Sequence, residues 1–140
     1  MDFEFDKIED VIAAFRNGEK VVVTDDENRE NEGDVVVAAA FATPKAINFM
    51  AQNARGLICV PLEEKIARRL GLTSKASMSD PFGTAFTQSV DAKEGTTTGI
   101  SAFDRARTVQ ELIDPDKTLD DFMFPENKNY FSHPDRPDCF

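Results

Sequence analysis

The sequence predicts an α+β fold in which helices pack on a mixed β-sheet. Apolar residues recur at helical spacing in some segments and form short β-branched runs in others. These two kinds of segment follow one another in the order helix, strand, strand, helix, strand, helix, strand, helix, which implies a mixed sheet with helices packed on it. The length of 140 residues, with 41% hydrophobic and 30% charged, is typical of one globular domain.

The first predicted helix is followed by two apolar strands. Four apolar residues at helical spacing predict a helix from about Asp6 to Asn17, with Asp6 as its cap and Gly18 after its end. The β-branched run 20–24 predicts a buried strand, and the apolar run 35–40 predicts a second one. The polar segment between the two runs is then their connection.

The next segments predict a capped helix and a third strand. Thr43 and Pro44 are typical of an N-cap and of the first helical position, so we expect a helix to about Ala54. The apolar run 56–60 predicts a short strand.

The remaining elements follow from glycines, hydroxyl residues and alternation. We expect a helix over 61–70 that Gly71 closes, a loop over 73–85 and a half-exposed strand over 86–90. The Ser101–Asp104 segment fits a capping box, which predicts a helix ending near residue 113.

Composition and charge exclude several classes of protein. The 26 acidic residues against 16 Lys and Arg give a net charge of −10, which disfavours nucleic acid and anionic membranes as partners. No segment approaches the ~18–20 consecutive apolar residues that span a bilayer, and the acidic first residues do not resemble a signal peptide. The two cysteines, Cys59 and Cys139, form no disulfide framework, so we expect a cytoplasmic protein.

The most unusual segment is Asp25–Asp34, which places six carboxylates and Arg29 between two apolar runs. Clustered carboxylates suit Mg²⁺, they raise one another's pKa as a general base requires, and a lone arginine can bind phosphate. An EF-hand is excluded because Asn31 stands where the turn glycine belongs. Composition alone explains the segment equally well as a solvated hairpin loop.

A second candidate segment, Glu94–Ser101, has two glycines that bracket three threonines ahead of a predicted helix. Backbone N–H groups and hydroxyls at such a position can bind an anion such as phosphate. A flexible turn followed by a cap is the simpler explanation, and no P-loop pattern is present.

The remaining reactive side chains give weaker signals. Cys59 ends an apolar run, where a cysteine is more often a small core residue than a nucleophile. His133 is the one histidine of the sequence, so neither a histidine-rich metal site nor a Ser-His-Asp triad is expected.

Together these segments resemble 3,4-dihydroxy-2-butanone 4-phosphate synthase, an enzyme family of riboflavin biosynthesis. The resemblance rests on Asp25–Asp34, Gly56–Cys59, Phe86 with Thr87, and Glu94–Arg105, and it is collinear from the first helix to about Pro125. It implies the mixed α+β fold of that family.

The resemblance also implies an activity. The family is a lyase that converts D-ribulose 5-phosphate into L-3,4-dihydroxy-2-butanone 4-phosphate and formate, with Mg²⁺ or Mn²⁺. Its route runs through enolisation, loss of water, a skeletal rearrangement and loss of formate. It is a homodimer with active sites at the interface.

The resemblance assigns roles to a metal ligand, to catalytic groups and to substrate contacts. Carried over to this sequence, they are Glu30 for the metal; Glu32, Asp34 and Cys59 for catalysis; and Arg29, Glu30, Asp34, Thr97 and Thr98 for the sugar phosphate. Glu32 is the candidate acid/base, and Cys59 lines the pocket.

The likeness ends after Pro125. Asn127 stands where the family has an essential histidine, and later segments with a second metal ligand and a glutamate have no counterpart. We therefore expect residues 1–125 to be the N-terminal part of a synthase-like domain and residues 126–140 to be a divergent tail, left by truncation or a shifted reading frame. Apolar strand faces or edges should then be open.

The sequence leaves three hypotheses about the function of the chain. The chain is a synthase whose activity is reduced, a non-catalytic fragment that binds metal and sugar phosphate or pairs with a full-length synthase, or an acidic interaction domain with a solvated loop.

Overall fold

The computed structural model describes residues 4–26, 28, 31–72 and 86–124. The helices are α1 (Ile8–Arg16), α2 (Pro44–Asn53), α3 (Glu64–Arg69) and α4 (Ala102–Ile113), with short 3-10 turns at Ala39–Phe41 and Leu119–Asp121. The strands are β1 (Val21–Thr24), β2 (Gly33–Val36), β3 (Asp91–Ala92) and β4 (Phe122–Met123). The combination of helices and small sheets confirms the α+β class.

The strands of the described ranges form two antiparallel pairs. In the first, Val21 lies opposite Val36 and Thr24 lies opposite Gly33, so the acidic segment is the connection of a hairpin. In the second, β3 pairs with β4 across 30 residues of sequence, with Ala92 opposite Phe122. The hairpin is local, whereas the second pair closes a long loop.

Helix α2 begins as the sequence predicts. The Thr43 side chain accepts a hydrogen bond from the Ala46 N–H at 3.2 Å. Pro44 occupies the first turn, where a backbone N–H would have no partner within the helix, so its missing N–H costs nothing. The last helical residue is Asn53, one before the predicted end.

Two other helix boundaries differ from prediction. Asp6 does not cap α1, because Lys7 occupies the N-cap position and no side chain caps the helix. Helix α3 begins at Glu64, because the backbone of the preceding Glu63 is extended. Both helices end ahead of a glycine with positive φ, Gly18 and Gly71, as the sequence predicts.

The strand predictions fail in extent and burial. β1 was expected to be buried, yet Val22 and Val23 are 69% and 51% exposed. β2 ends at Val36, and the chain then turns into the 3-10 helix that begins at Ala39. A β-branched run shows where a strand can form, but burial depends on what packs on it.

Two further predicted strands do not form among the described residues. Residues 56–60 make no strand pairing among the described residues, and 86–90 contain only an isolated bridge at Thr87. The expected loop 73–85 and the tail 126–140 lie outside the described residues. Apolar runs of this length cannot by themselves specify a partner, and a strand requires one.

Helix α4 joins two small hydrophobic clusters. One contains Ala106 and Val109 of α4 with residues of α2 and its preceding turn, namely Ala42 and Ile47. The other contains Leu112 of α4 with Leu70, Leu72 and Phe122. Both clusters therefore share α4. The segment Glu94–Ser101, called the threonine segment below, directly precedes this helix.

Candidate functional site

The acidic connection between β1 and β2 is closed by a pair of residues at its ends. The Glu32 N–H donates to the Asp25 carboxylate at 2.8 Å, and the Asp25 N–H donates to the Glu32 carbonyl at 3.3 Å. Asn31 adopts a positive φ of 53°, which asparagine tolerates better than most residues. These two bonds fix the backbone of Glu32, while the Glu32 side chain stays exposed.

Asp26 is held by a second local contact in the same connection. Its carboxylate accepts hydrogen bonds from the backbone N–H and the side-chain amide of Asn28, at 2.8 and 2.9 Å. These bonds stabilise the charged form, so the pKa of Asp26 lies below its usual value. This carboxylate is therefore ionised at neutral pH.

Cys59 is exposed, so it is not the core residue that its place at the end of an apolar run favours, and the charge of Asp34 acts on its thiol. Partial desolvation, and then the negative charge of Asp34, raise the pKa of the Cys59 thiol. The thiol is therefore protonated at neutral pH and is a poor nucleophile. It lines an apolar cavity that also receives side chains from α1, α2 and β2, including Phe15, Met50 and Val36.

The threonine segment rests on the first half of α4. Thr96 donates its hydroxyl to the Ala92 carbonyl at 2.5 Å, and the Ala92 N–H donates to the Thr108 hydroxyl at 3.1 Å. The Thr108 hydroxyl in turn donates to the Asp104 carbonyl at 3.0 Å. Thr96 is thus bonded to β3, and β3 is bonded to α4 through Thr108.

Asp104 anchors the middle of this segment. The residue is only 4% exposed, and its carboxylate accepts from the Thr97 hydroxyl at 2.9 Å and from the Gly99 N–H at 3.0 Å. Burial by itself would raise the pKa of Asp104, but the bonds from Thr97, Gly99 and Ser101 outweigh it and lower the pKa. Asp104 is thus a buried, ionised and hydrogen-bonded carboxylate.

The capping box at the start of α4 is only half as predicted. The Ser101 hydroxyl accepts a hydrogen bond from the Asp104 N–H at 3.0 Å, as expected. The Asp104 carboxylate instead accepts hydrogen bonds from the preceding turn, a contact that was not predicted. The sequence signal for this contact is an acidic residue at the third position of a helix that follows a Thr-Thr-Gly turn.

The predicted site residues fall into three groups. Arg29 and Glu30 lie outside the described residues. Asp34 lies in β2 and Glu32 directly precedes that strand, while Cys59 lines the cavity to which β2 contributes Val36. No described hydrogen bond or ion pair joins Glu32 or Asp34 to Thr97 or Thr98.

The metal and membrane predictions can be compared only with the part of the chain that is described. In that part no three His, Cys, Asp or Glu side chains form a group that could hold a metal ion. The helices found there are all too short or too polar to cross a bilayer.

Comparison with known proteins gives a consistent result. The family model of 3,4-dihydroxy-2-butanone 4-phosphate synthase matches residues 9–126. A Pseudomonas syringae pv. tomato protein with that name is 51% identical over 122 residues, which are 86% of this chain and 33% of the relative. The Staphylococcus aureus (strain COL) riboflavin biosynthesis protein RibBA is 50% identical over 123 residues, 87% of this chain and 31% of the relative.

Solved structures agree with these relatives. A crystal structure of 3,4-dihydroxy-2-butanone 4-phosphate synthase in complex with two magnesium ions superposes with a TM-score of 0.83 at 48% identity, over 86% of this chain and 57% of that one. A synthase of Candida albicans gives a TM-score of 0.77 at 43% identity, over 88% and 60%. The chain spans about a third of the length of the two curated relatives.

Proposed function

Because this chain belongs to the 3,4-dihydroxy-2-butanone 4-phosphate synthase family of riboflavin biosynthesis, we propose that it acts on D-ribulose 5-phosphate. The proposed products are L-3,4-dihydroxy-2-butanone 4-phosphate and formate. Substrate and products balance without a further reactant, since the sugar loses one carbon as formate and keeps its phosphate. The reaction therefore needs proton transfers and stabilised oxygens, with no external oxidant.

The observation that supports this proposal most is the hairpin register. It sets Asp34 in β2 opposite Val23, while the Asp25 closing pair fixes the backbone of Glu32 two residues earlier. Side chains two apart in an extended segment share one face. Glu32 and Asp34 therefore offer two exposed carboxylates to the same ligand.

These two carboxylates supply the acid and the base in the proposed mechanism. One carboxylate removes a proton from a carbon next to the sugar's carbonyl, and a protonated carboxyl returns a proton in a later step. Positioned acid–base groups contribute about 10²–10⁴-fold to such reactions. We assign Glu32 as the principal acid/base and Asp34 as a group that also contacts the substrate.

A divalent cation fits the chemistry of the hairpin connection. Carboxylate oxygens are the ligands that Mg²⁺ favours, and Asp34 and Glu32 are exposed in the structure. We propose Glu30 as a ligand, with Mg²⁺ or Mn²⁺ as the ion. When bound, the ion would stabilise negative charge on the sugar's oxygens.

The remaining proposed contacts serve the phosphate and the pocket. Arg29 can bind a phosphate through its planar guanidinium group, and we place the turn before α4 that contains Thr97 and Thr98 at the phosphate end of the substrate. Cys59 carries a protonated thiol, so we assign it a lining role beside Asp34. In this proposal Cys59 is not a catalytic nucleophile.

The direct test measures formate. Purified chain is incubated with D-ribulose 5-phosphate and Mg²⁺, and formate is detected with a coupled dehydrogenase. Glu32→Gln and Asp34→Asn should each lower the rate of formate release by about 10²-fold or more. Glu19→Gln and Asp116→Asn are matched controls, because both residues are exposed and lie outside the hairpin connection.

The result also separates the alternative functions. Formate release at the same rate in the wild type and both hairpin variants would contradict the assignment of the acid and the base. Binding of sugar phosphate without formate release would favour a non-catalytic fragment. No binding of metal or sugar phosphate would favour an acidic interaction domain.

We also propose that the chain forms a homodimer. Val22 and Val23 on consecutive positions of β1 are exposed, so apolar side chains lie on both faces of the hairpin. Light scattering after size exclusion should give twice the monomer mass. Replacement of Val22 by lysine should shift that mass towards the monomer, and an unchanged dimer would place the interface elsewhere.

A further inference from the structure

We propose that Asp104 is a positioning residue, which fixes the Thr97–Gly99 turn so that Thr98 is the threonine left to bind the substrate's phosphate. The inference rests on the proposed function, because it concerns how one wall of that site is built. It divides the three threonines into two structural residues and one binding residue.

The first support is the set of bonds that the threonines already make. Thr96 donates to the Ala92 carbonyl, and Thr97 donates to the buried Asp104 carboxylate at 2.9 Å. Each hydroxyl has a single proton, so neither can also donate to a ligand without breaking its present bond. Thr98 is exposed and has no hydrogen bond to another described residue.

The second support is the backbone on either side of Thr98. The same Asp104 oxygen that accepts from Thr97 also accepts from the Gly99 N–H at 3.0 Å. One carboxylate oxygen therefore holds the residue before Thr98 and the residue after it. The position of Thr98 follows from this two-point attachment.

The third support is the close packing around Gly99. Gly99 has a φ of 79°, in the left-handed region that glycine adopts readily. The Asp91 carboxylate occupies the space where a Cβ atom would be. The turn is therefore confined by Asp104 on one side and by Asp91 on another.

Asp104 is itself well placed to hold the turn. Its N–H donates to the Ser101 hydroxyl, and its carbonyl accepts from Thr108, whose hydroxyl also accepts from Ala92. The residue is thus fixed to α4 and to β3 through its backbone. A group held in this way loses little freedom when a ligand binds, which favours affinity.

A double-mutant cycle tests the inference. Binding of D-ribulose 5-phosphate with Mg²⁺, and of inorganic phosphate alone, is measured by calorimetry for Asp104→Asn, Thr98→Val and the double variant. Each single variant should weaken binding of the sugar phosphate by roughly tenfold, because a hydrogen bond to a charged group is lost or misplaced. The double variant should be no weaker than the worse single variant.

Two further variants separate positioning from general stability. Thr97→Ser keeps the hydroxyl and should bind as the wild type does, whereas Thr97→Val should bind as Asp104→Asn does. Leu112→Ala removes buried side-chain volume from α4 away from the turn, so it should lower the unfolding temperature without weakening binding. All binding is measured below the unfolding midpoint of the least stable variant.

The outcomes that would overturn the inference are distinct from failure of the proposed function. If the wild type binds and Asp104→Asn binds equally well, or if the two single losses add in the double variant, Asp104 does not act through Thr98. If Leu112→Ala weakens binding as much as Asp104→Asn, the effect is one of stability. A wild type that binds no sugar phosphate would overturn the proposed function, and this inference with it.

Discussion

The acidic hairpin connection and the threonine segment are both polar, but the chain holds them in different ways. In the connection, Asp26 and Asp25 make hydrogen bonds to residues within seven positions, and their side chains are exposed and half-buried, respectively. In the threonine segment, a buried carboxylate from the following helix holds Thr97 and Gly99. The first region depends on local sequence and the second on packing against α4.

This difference bears on how the two regions can work. Exposed carboxylates held by local bonds can change partner when an ion or a sugar arrives. A turn held by a buried anion keeps its geometry, so Thr98 is presented in a constant position. The proposed site therefore combines an adaptable acidic segment with a rigid turn.

The largest expected contrast comes from one glycine in each region. Gly99→Ala forces a side chain into a left-handed position that the Asp91 carboxylate already fills, so we expect a loss of about 2 kcal/mol or more in unfolding free energy. Gly33→Ala meets only ordinary contacts at 3.7 Å, and we expect a change within about 1 kcal/mol. Urea unfolding measures both, and equal losses would remove the distinction between the regions.

A smaller contrast should appear in acid. The pKa of Asp104 in the folded chain lies below its ordinary value of 3.8, so its charged form stabilises the fold above that pH. This stabilisation is lost as the pH falls through the lowered pKa. Asp104→Asn should therefore lower the unfolding temperature at pH 7 and flatten its decline below about pH 4.

Asp26→Asn is the matched control for the acid experiment. The pKa of Asp26 is also lowered, chiefly by the backbone and side chain of Asn28, but these bonds lie at the exposed surface. We expect a smaller change at pH 7 and a steeper remaining decline in acid than for Asp104→Asn. The opposite order would mean that the acidic connection carries more of the acid sensitivity.

The smallest expected contrast separates a hydroxyl from a carboxylate. Thr97→Val removes the hydroxyl that donates to Asp104 and should lower the unfolding free energy by about 1 kcal/mol. Glu32→Gln keeps the backbone bond to Asp25 and should change it by no more than about 0.5 kcal/mol. Both are measured at pH 7 in urea, and a larger loss for Glu32→Gln would show that the connection is part of the folded framework.

The sequence predicted some elements closely because their signals are local. Thr43 and Pro44 set the start of α2 through contacts within one helical turn, and Gly18 and Gly71 follow helix ends by their backbone conformation. The predicted burial of β1 was wrong, since Val22 and Val23 on its two faces are both exposed. The strand predicted over 56–60 was wrong because an apolar run does not determine which other segment it pairs with.

By itself, the sequence determined the α+β class, the position of the two polar segments between apolar runs, and the family. Local spacing, capping residues and collinear motifs carry that information without reference to distant contacts. Only the tertiary structure decided that Cys59 lines a cavity with residues of α1, α2 and β2, and that the Asp104 carboxylate holds Thr97 and Gly99. A carboxylate has several possible donors within reach along the chain, and packing of α4 against the 91–99 segment selects among them.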